Sequence, residues 1–232
     1  MRVSCIIIAR RGSKGIPNKN TIDFCGKPLL AWTVLQAKAC ELVSDIWISS
    51  DSFEILDIGE RYGARPIIRP DEISGDASAS EEAWLHAIEH IDQLKNGDTI
   101  DYVLTPQVTS PLREASDFSG AIRLIKESAT ESLLSVAAIQ DFFIWKVNQE
   151  GIAYSVNYDY RDRKPRQQIE KQYLENGSFY IFKPPLLKQM GNRLSGKISM
   201  YVMEKYKMFQ IDNHEDIKLC EVMMKGYGLN RQ

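Results

Sequence analysis

No run of apolar residues in this chain approaches the about eighteen that a membrane-crossing helix needs, so no membrane span is expected. Charge of one sign is missing too. With 29 Lys and Arg against 31 Asp and Glu the net is −2, without the basic footprint of a nucleic-acid binder. Cysteine is scarce: Cys5, Cys25, Cys40 and Cys220 form no Cys-x-x-Cys pair. Cys5 falls within an apolar run, which reads as reduced thiols and a cytoplasmic protein. The first residues lack the charged and apolar regions of a secretory signal. No Gly-x-Gly-x-x-Gly occurs, nor the spacing of a Walker A loop, so neither a dinucleotide fingerprint nor a P-loop is supported. Internal repeats and low-complexity linkers are absent as well. What is there is ordinary: 232 residues, 44% hydrophobic and 26% charged, enough for a sizeable core in one domain, 1–232.

Apolar periodicity alternates between two kinds along the first two-thirds of the chain. Residues 2–9, Asp45 to Ser50, Ala64 to Ile68, Asp101 to Thr105 and Leu133 to Ala138 read as strands. Between them, Leu29 to Leu42, Phe53 to Tyr62, Ser80 to Leu94 and Ala115 to Ser128 carry helical spacing, the first with Pro28 at its start. Such alternation predicts an α/β fold: a mostly parallel sheet with helices on both faces, joined by right-handed crossovers. The pattern breaks after Ala138. From Gln140 to Tyr173 aromatics occur without a clean period, with a charged run at 159–164, and the segment 140–173 reads as an excursion from the sheet. Ser178 to Phe182 resumes as a strand, and Asn213 to Lys225 is a helix capped by Asn213, with Glu215 and Asp216 at its positive end.

The first strand runs straight into Arg10-Arg11-Gly12-Ser13-Lys14-Gly15-Ile16-Pro17-Asn18-Lys19, with Asn20 behind. The loop leaves the carboxyl end of a strand, where open α/β sheets hold ligands. Its glycines and serine let backbone N–H groups come close, and four cations suit a polyanion such as a triphosphate. The plainer alternative is a solvated basic turn. Other segments carry possible chemistry. Asp51 follows the second strand and reads as the cap of the helix at Phe53. Arg113 suits either an anion site or a helix start. Glu82, His86 and His90 share a helical face at a spacing compatible with zinc, or with simple packing. His214 reads as exposed helix-start chemistry.

The string from Ala9 to Asn20, and Lys14-Gly15-Ile16-Pro17 with Lys19-Asn20 above all, resembles the signature of the acylneuraminate cytidylyltransferases. Further matches follow in order along essentially the whole chain. Ile68-Arg69-Pro70 and Asp76 to Ser80 resemble that family's Arg-Pro and Asp-x-Ala-Ser-Ser stretch. Thr105 to Arg113 resembles its Gln-Pro-Thr-Ser-Pro-Leu-Arg motif, with Val108 in place of a proline, a change expected to loosen the turn. Arg166-Gln167-Gln168, Asn176-Gly177 and Tyr180 resemble its acceptor segments, and Gln210-Ile211-Asp212 its Asp-Ile-Asp motif, with the first acid lost.

The resemblance implies a Rossmann-like nucleotidyltransferase fold. It implies transfer of CMP from CTP to a nine-carbon 2-keto sugar acid (a nonulosonic acid), with pyrophosphate released. Arg10, Lys14 and Lys19 would neutralise the phosphates, and Gly12, Ser13, Asn20, Arg69 and Ser80 would complete the nucleotide site. Arg69 would meet the O2 and N3 acceptors of cytosine. Gln107, Arg166, Gln167 and Tyr180 would read the sugar acid, and Asp212 would hold Mg²⁺, replaceable by Mn²⁺. The excursion at 140–173 would form a homodimer. The rival acceptors are legionaminate, pseudaminate and octulosonate, and the rival class is a nucleotide-binding regulator that has lost catalysis.

Overall fold

A computed structural model describes residues 1–12, 15–94, 99–139 and 143–231, with only the backbone of Arg166. In chain order the elements are β1 (Val3–Ile8), β2 (Asp23–Phe24), β3 (Lys27–Pro28), α1 (Leu29–Lys38), β4 (Asp45–Ser50), α2 (Phe53–Tyr62), β5 (Arg65–Ile68), α3 (Ser80–Leu94), β6 (Tyr102–Pro106), α4 (Ala115–Ser128), β7 (Ser132–Ile139), β8 (Trp145–Val147), β9 (Ala153–Ser155), β10 (Gln172–Phe182), α5 (Pro184–Met190), β11 (Ile198–Met203) and α6 (His214–Gly226). A seven-stranded sheet has the order β11-β7-β10-β6-β1-β4-β5. β10 runs antiparallel to β6 and β7, and the remaining pairings in it are parallel.

The expected alternation therefore stands, with four corrections. The first helix ends at Lys38, four residues before Leu42, because the chain turns at Ala39. β10 begins at Gln172, six residues before Ser178, so the last two residues of the excursion already lie in the sheet. The polar positions of that stretch hid its pairing with β7. Two elements without a clear period, α5 and β11, follow: α5 is a single short helix opened by Pro184 at its first turn and closed by Gly191 at φ 62. Within the excursion, β8 and β9 pair as a hairpin separate from the main sheet.

Two apolar layers flank the sheet. On one face α1, α2, α4 and α6 bury Leu30, Trp32, Ile58, Phe118, Ile122 and Cys220 against Ile7, Leu104 and Phe179. On the other, α3 and α5 bury Trp84, Ile88 and Leu187 against Ile6, Val103 and Phe182. Alternate residues of β1 serve opposite layers, as the two-residue period of a strand dictates. β1 lies between β6 and β4, so the chain order reverses beside it. The loop after β1 thus opens at the topological switch point, where crossovers diverge and leave a crevice.

Candidate functional site

That crevice is a cleft of about 350 Å³, lined by Arg10, Gly12, Lys19, Asn20, Arg69 and Ser80 among others. Each nucleotide-site residue expected from the sequence whose structure is described lines this one cleft. Ser13 and Lys14 lie outside the described residues. Three segments build it. The loop after β1 supplies Arg10, whose guanidinium meets Asp76 at 2.6 Å across the opening. Asn20 donates to the Arg10 carbonyl at 3.0 Å and so folds the loop back on itself. Ser80, at the start of α3, lies on the opposite wall with Ser78 and Ala79. The backbone after β5 delivers Arg69, 5% exposed, whose Nε donates to the Ser74 hydroxyl at 3.0 Å. Burial pushes this guanidinium down from its ordinary value, Asp51 counters that, and Arg10 adds to it.

Asp51 itself is a correction. Ser52 precedes α2 with no side-chain capping bond. The Asp51 carboxylate instead accepts the Arg11 N–H at 2.8 Å and lies 3.7 Å from Arg69 Nη2.

Beside the cleft a second group converges. Lys19 Nζ donates to the Ile211 carbonyl at 2.9 Å and to Asp212 Oδ1 at 3.1 Å. Ile211 N–H donates to the Thr109 carbonyl at 2.8 Å, which joins the segment before α6 to the loop after β6. Gln210 Nε2 donates to the Asn176 carbonyl at 2.6 Å, and Gln107 N–H to that of Ser178 at 2.9 Å. A Cβ on Gly177, at φ 62, would crowd both Gln210 and Gln107. Gln107, Gly177, Gln210 and Lys19 therefore mark a continuous rim. Tyr180 lies below it: its hydroxyl donates to Glu175 and its ring faces the Arg193 guanidinium, centred 4.4 Å away. Gln167 is exposed in a 3-10 turn, Arg166–Gln168.

Sequence reasoning left Arg113 between two readings, and the structure assigns it a third. It is 1% exposed. Nη1 donates to the carbonyls of Gln107, Ser110 and Ser178 at 2.8, 2.6 and 3.2 Å, and Nη2 to the Thr33 hydroxyl at 2.6 Å. Burial pushes the group down to about 9, so it is still cationic at neutral pH. A single buried cation thus ties the loop after β6 to β10 and α1, replacing solvation with carbonyl dipoles. Val108, expected to loosen this turn, is itself buried, and the Ser110 N–H to Gln107 carbonyl bond closes the turn.

Lys207 was also missed. It is 2% exposed and holds Glu114, Asp117 and Glu204 at 2.9, 2.9 and 2.8 Å. Burial opposes its charge, but bonds to Glu204 and Glu114 and the charge of Asp117 hold it above the ordinary lysine range. It anchors the chain just ahead of Gln210–Asp212. A lone lysine between Tyr206 and Met208 gave no sign of this in the sequence.

For a divalent cation, the described residues offer no cluster of three His, Cys, Asp or Glu. Asp212, with its side chain 71% exposed, is one carboxylate beside a lysine. That fits Mg²⁺ held by one protein oxygen and completed by water and phosphate, and it does not fit a closed protein cage. Glu82, His86 and His90 are engaged separately: Glu82 accepts the Ala79 N–H at 3.2 Å, and His90 meets Trp47 edge-on. Burial, with the charges of His90 and Arg69, pushes His86 down. His214 is exposed at the start of α6, whose cap is Asn213.

Comparison with known proteins places this geometry. A family model described as cytidylyltransferase matches residues 4–226. N-acylneuraminate cytidylyltransferase A of Danio rerio is 31% identical over 229 residues, 97% of this chain. The chain spans 51% of that relative's length, about half. A pseudaminic acid cytidylyltransferase of Campylobacter jejuni is 30% identical over 230 residues, 97% of each chain. Among solved structures, a CMP:2-keto-3-deoxy-manno-octonic acid synthetase complexed with CTP superposes at a TM-score of 0.73 and 13% identity, covering 98% of this chain and 100% of that one. A 4-diphosphocytidyl-2C-methyl-D-erythritol synthase of Anaerococcus prevotii superposes at 0.65 and 14% identity, covering 97% and 98%. At those identities the two structures speak to the fold alone.

Proposed function

Because the chain belongs to the cytidylyltransferase family, we propose that it joins CMP from CTP to a nine-carbon 2-keto sugar acid and releases pyrophosphate. The observation that carries this is the gathering of Arg10, Gly12, Lys19, Asn20, Arg69 and Ser80 around one cleft at the switch point of the sheet. The cleft is lined by the cations Arg10 and Lys19 and by the buried Arg69.

In this reading the triphosphate lies along the loop after β1, with Arg10 exchanging Asp76 for phosphate oxygens. Arg69 donates to cytosine. The acceptor lies over the rim of Gln107, Gly177 and Gln210, with Arg166, Gln167 and Tyr180 as further reader residues. The anomeric hydroxyl oxygen of the sugar acid forms a bond to the α-phosphorus as the bond to the pyrophosphate oxygen breaks, and the hydroxyl proton passes to water. Charge accumulates on the leaving pyrophosphate, and Arg10, Lys14 and Lys19 neutralise it. Positioning and charge stabilisation suffice for such a transfer. Mg²⁺ or Mn²⁺ on Asp212, when bound, adds charge on the phosphate oxygens.

Two relatives of nearly equal identity carry different acceptors in their names, so the acceptor is proposed as a nonulosonic acid of the sialate or pseudaminate type. We further place the enzyme in the cytoplasm as a homodimer. Four free thiols suit a reducing compartment, and β8 and β9 present exposed Trp145, Val147 and Tyr154. In the described residues no helix is long and apolar enough to cross a membrane. The test is pyrophosphate release from CTP with a panel of sialate, legionaminate, pseudaminate and octulosonate. Turnover is expected with one nine-carbon acid, lost with EDTA and restored by Mg²⁺ or Mn²⁺. No release with any acid would favour a nucleotide-binding regulator.

A further inference from the structure

We propose that Asp51 is a positioning residue that divides the cleft's two arginines between base and phosphate. The proposal rests on the cleft being the CTP site. The observation behind it is a carboxylate released from local duty. Asp51 stands where a helix cap is expected, yet α2 starts from Ser52 without a side-chain bond. Asp51 accepts a hydrogen bond of 2.8 Å from Arg11 N–H, in the loop after β1. The same oxygen lies 3.7 Å from Arg69 Nη2. That nitrogen is buried and has no hydrogen-bond partner, while Nε of the same side chain is held by Ser74.

The geometry separates two duties. Arg10 and Arg69 both line the cleft. A triphosphate attracts both guanidiniums, since each offers the same fork of donors. Among the described residues Arg10 makes its ion pair with Asp76, whose side chain is 53% exposed, so water screens that pair and phosphate competes for the guanidinium. Arg69 is buried and faces a buried-side carboxylate 15% exposed, whose attraction is little screened by water. Asp51 therefore holds Arg69 back through the buried Nη2, leaving the other nitrogen of the fork, Nη1, to donate to an acceptor on the base. Cytosine presents N3 as an acceptor, whereas uracil presents N3–H, so a donor kept in place penalises uracil. Through Arg11 N–H the same carboxylate fixes the phosphate loop relative to that donor.

Two substitutions separate these roles. Asp51→Asn keeps an oxygen for Arg11 N–H and removes the charge that holds Arg69; Asp51→Ala removes both. Initial rates with CTP and UTP, and inhibition by pyrophosphate alone, are measured for the wild type, D51N, D51A, R69A and D51N/R69A. For D51N the CTP-over-UTP ratio in kcat/KM is expected to fall by about tenfold or more, with pyrophosphate inhibition nearly unchanged. The double variant is expected to discriminate no less than R69A, because Asp51 acts through Arg69. D51A should in addition weaken pyrophosphate inhibition. A D51N enzyme that keeps the wild-type ratio, or a double variant whose losses add, overturns the proposal while the CTP reading stands. A wild type that does not prefer CTP overturns the reading of the cleft itself.

Discussion

Gly15 shows how a single position governs the site. A Cβ there would overlap the Asp212 carbonyl, so only glycine lets the loop after β1 approach the segment before α6. Gly15→Ala is expected to push Lys19 away from Asp212 and lower kcat/KM for CTP by about a hundredfold, the scale of a 1 Å misplacement, and to lower the melting temperature as well, because the neighbouring Ile16 is packed in the core. Unchanged kinetics in that variant would show that the close approach has no catalytic consequence. At this scale much of the site was legible. Arg10, Lys19 and Asn20 stand in a continuous loop, and a loop's ligand chemistry shows in its residue types. Arg113 and Asp51 were not legible in the same way. Beyond the nearby carbonyls of Gln107 and Ser110, Arg113 depends on Ser178 and Thr33, 65 and 80 positions away, and Asp51 on partners 40 and 18 positions away, and no local pattern encodes which carbonyl or guanidinium a folded chain brings there.

At the level of elements, the polar junction around Lys207 fixes the short turn after β11 to the start of α4, where Glu114 and Asp117 form a reciprocal cap. Lys207→Met leaves the Asp117 carboxylate buried without its cation and should cost about 3–5 kcal/mol at neutral pH by urea denaturation. Burial already pushes the Asp117 carboxyl above its ordinary value against the pull of Lys207. Without Lys207 the folded state takes up a proton more readily than the unfolded chain, so stability favours acid and the deficit should shrink as pH falls from about 7 toward 5. A deficit independent of pH would mean the loss is one of packing. Of the elements that the sequence pattern found, α2, α3 and α4 bury one face against the sheet and so carry a helical period, while β1, buried on both faces, shows as a continuous apolar run. The pattern missed β11 because every second residue there is exposed apolar (Ile198, Met200, Val202), which blurs the alternation of an edge strand. The first half of β10 escaped because its pairing with β7 is made by backbone, beneath polar side chains.

Across the whole molecule, the proposed reaction has the sheet join a nucleotide half and an acceptor half. The strands β1, β4 and β5 end beside the cleft, while Gly177 of the proposed acceptor rim lies midway along the antiparallel β10. The hairpin of β8 and β9 stands off this body with its apolar side chains exposed. Val147→Glu is expected to convert a dimer to a monomer by light scattering with CTP binding intact; a wild type that is already monomeric would refute the dimer. One register detail reaches further. Ile139 at the end of β7 lies opposite Gln172 at the start of β10, so the chain leaves the sheet and re-enters it at neighbouring positions. Closing that gap with a tight Asn-Gly turn would demand little of the strands on either side. The excursion is thus interchangeable in principle: grafting the corresponding stretch of a relative onto Ile139 and Gln172 would change it alone, so any change of acceptor preference that followed would belong to the excursion and not to the sheet.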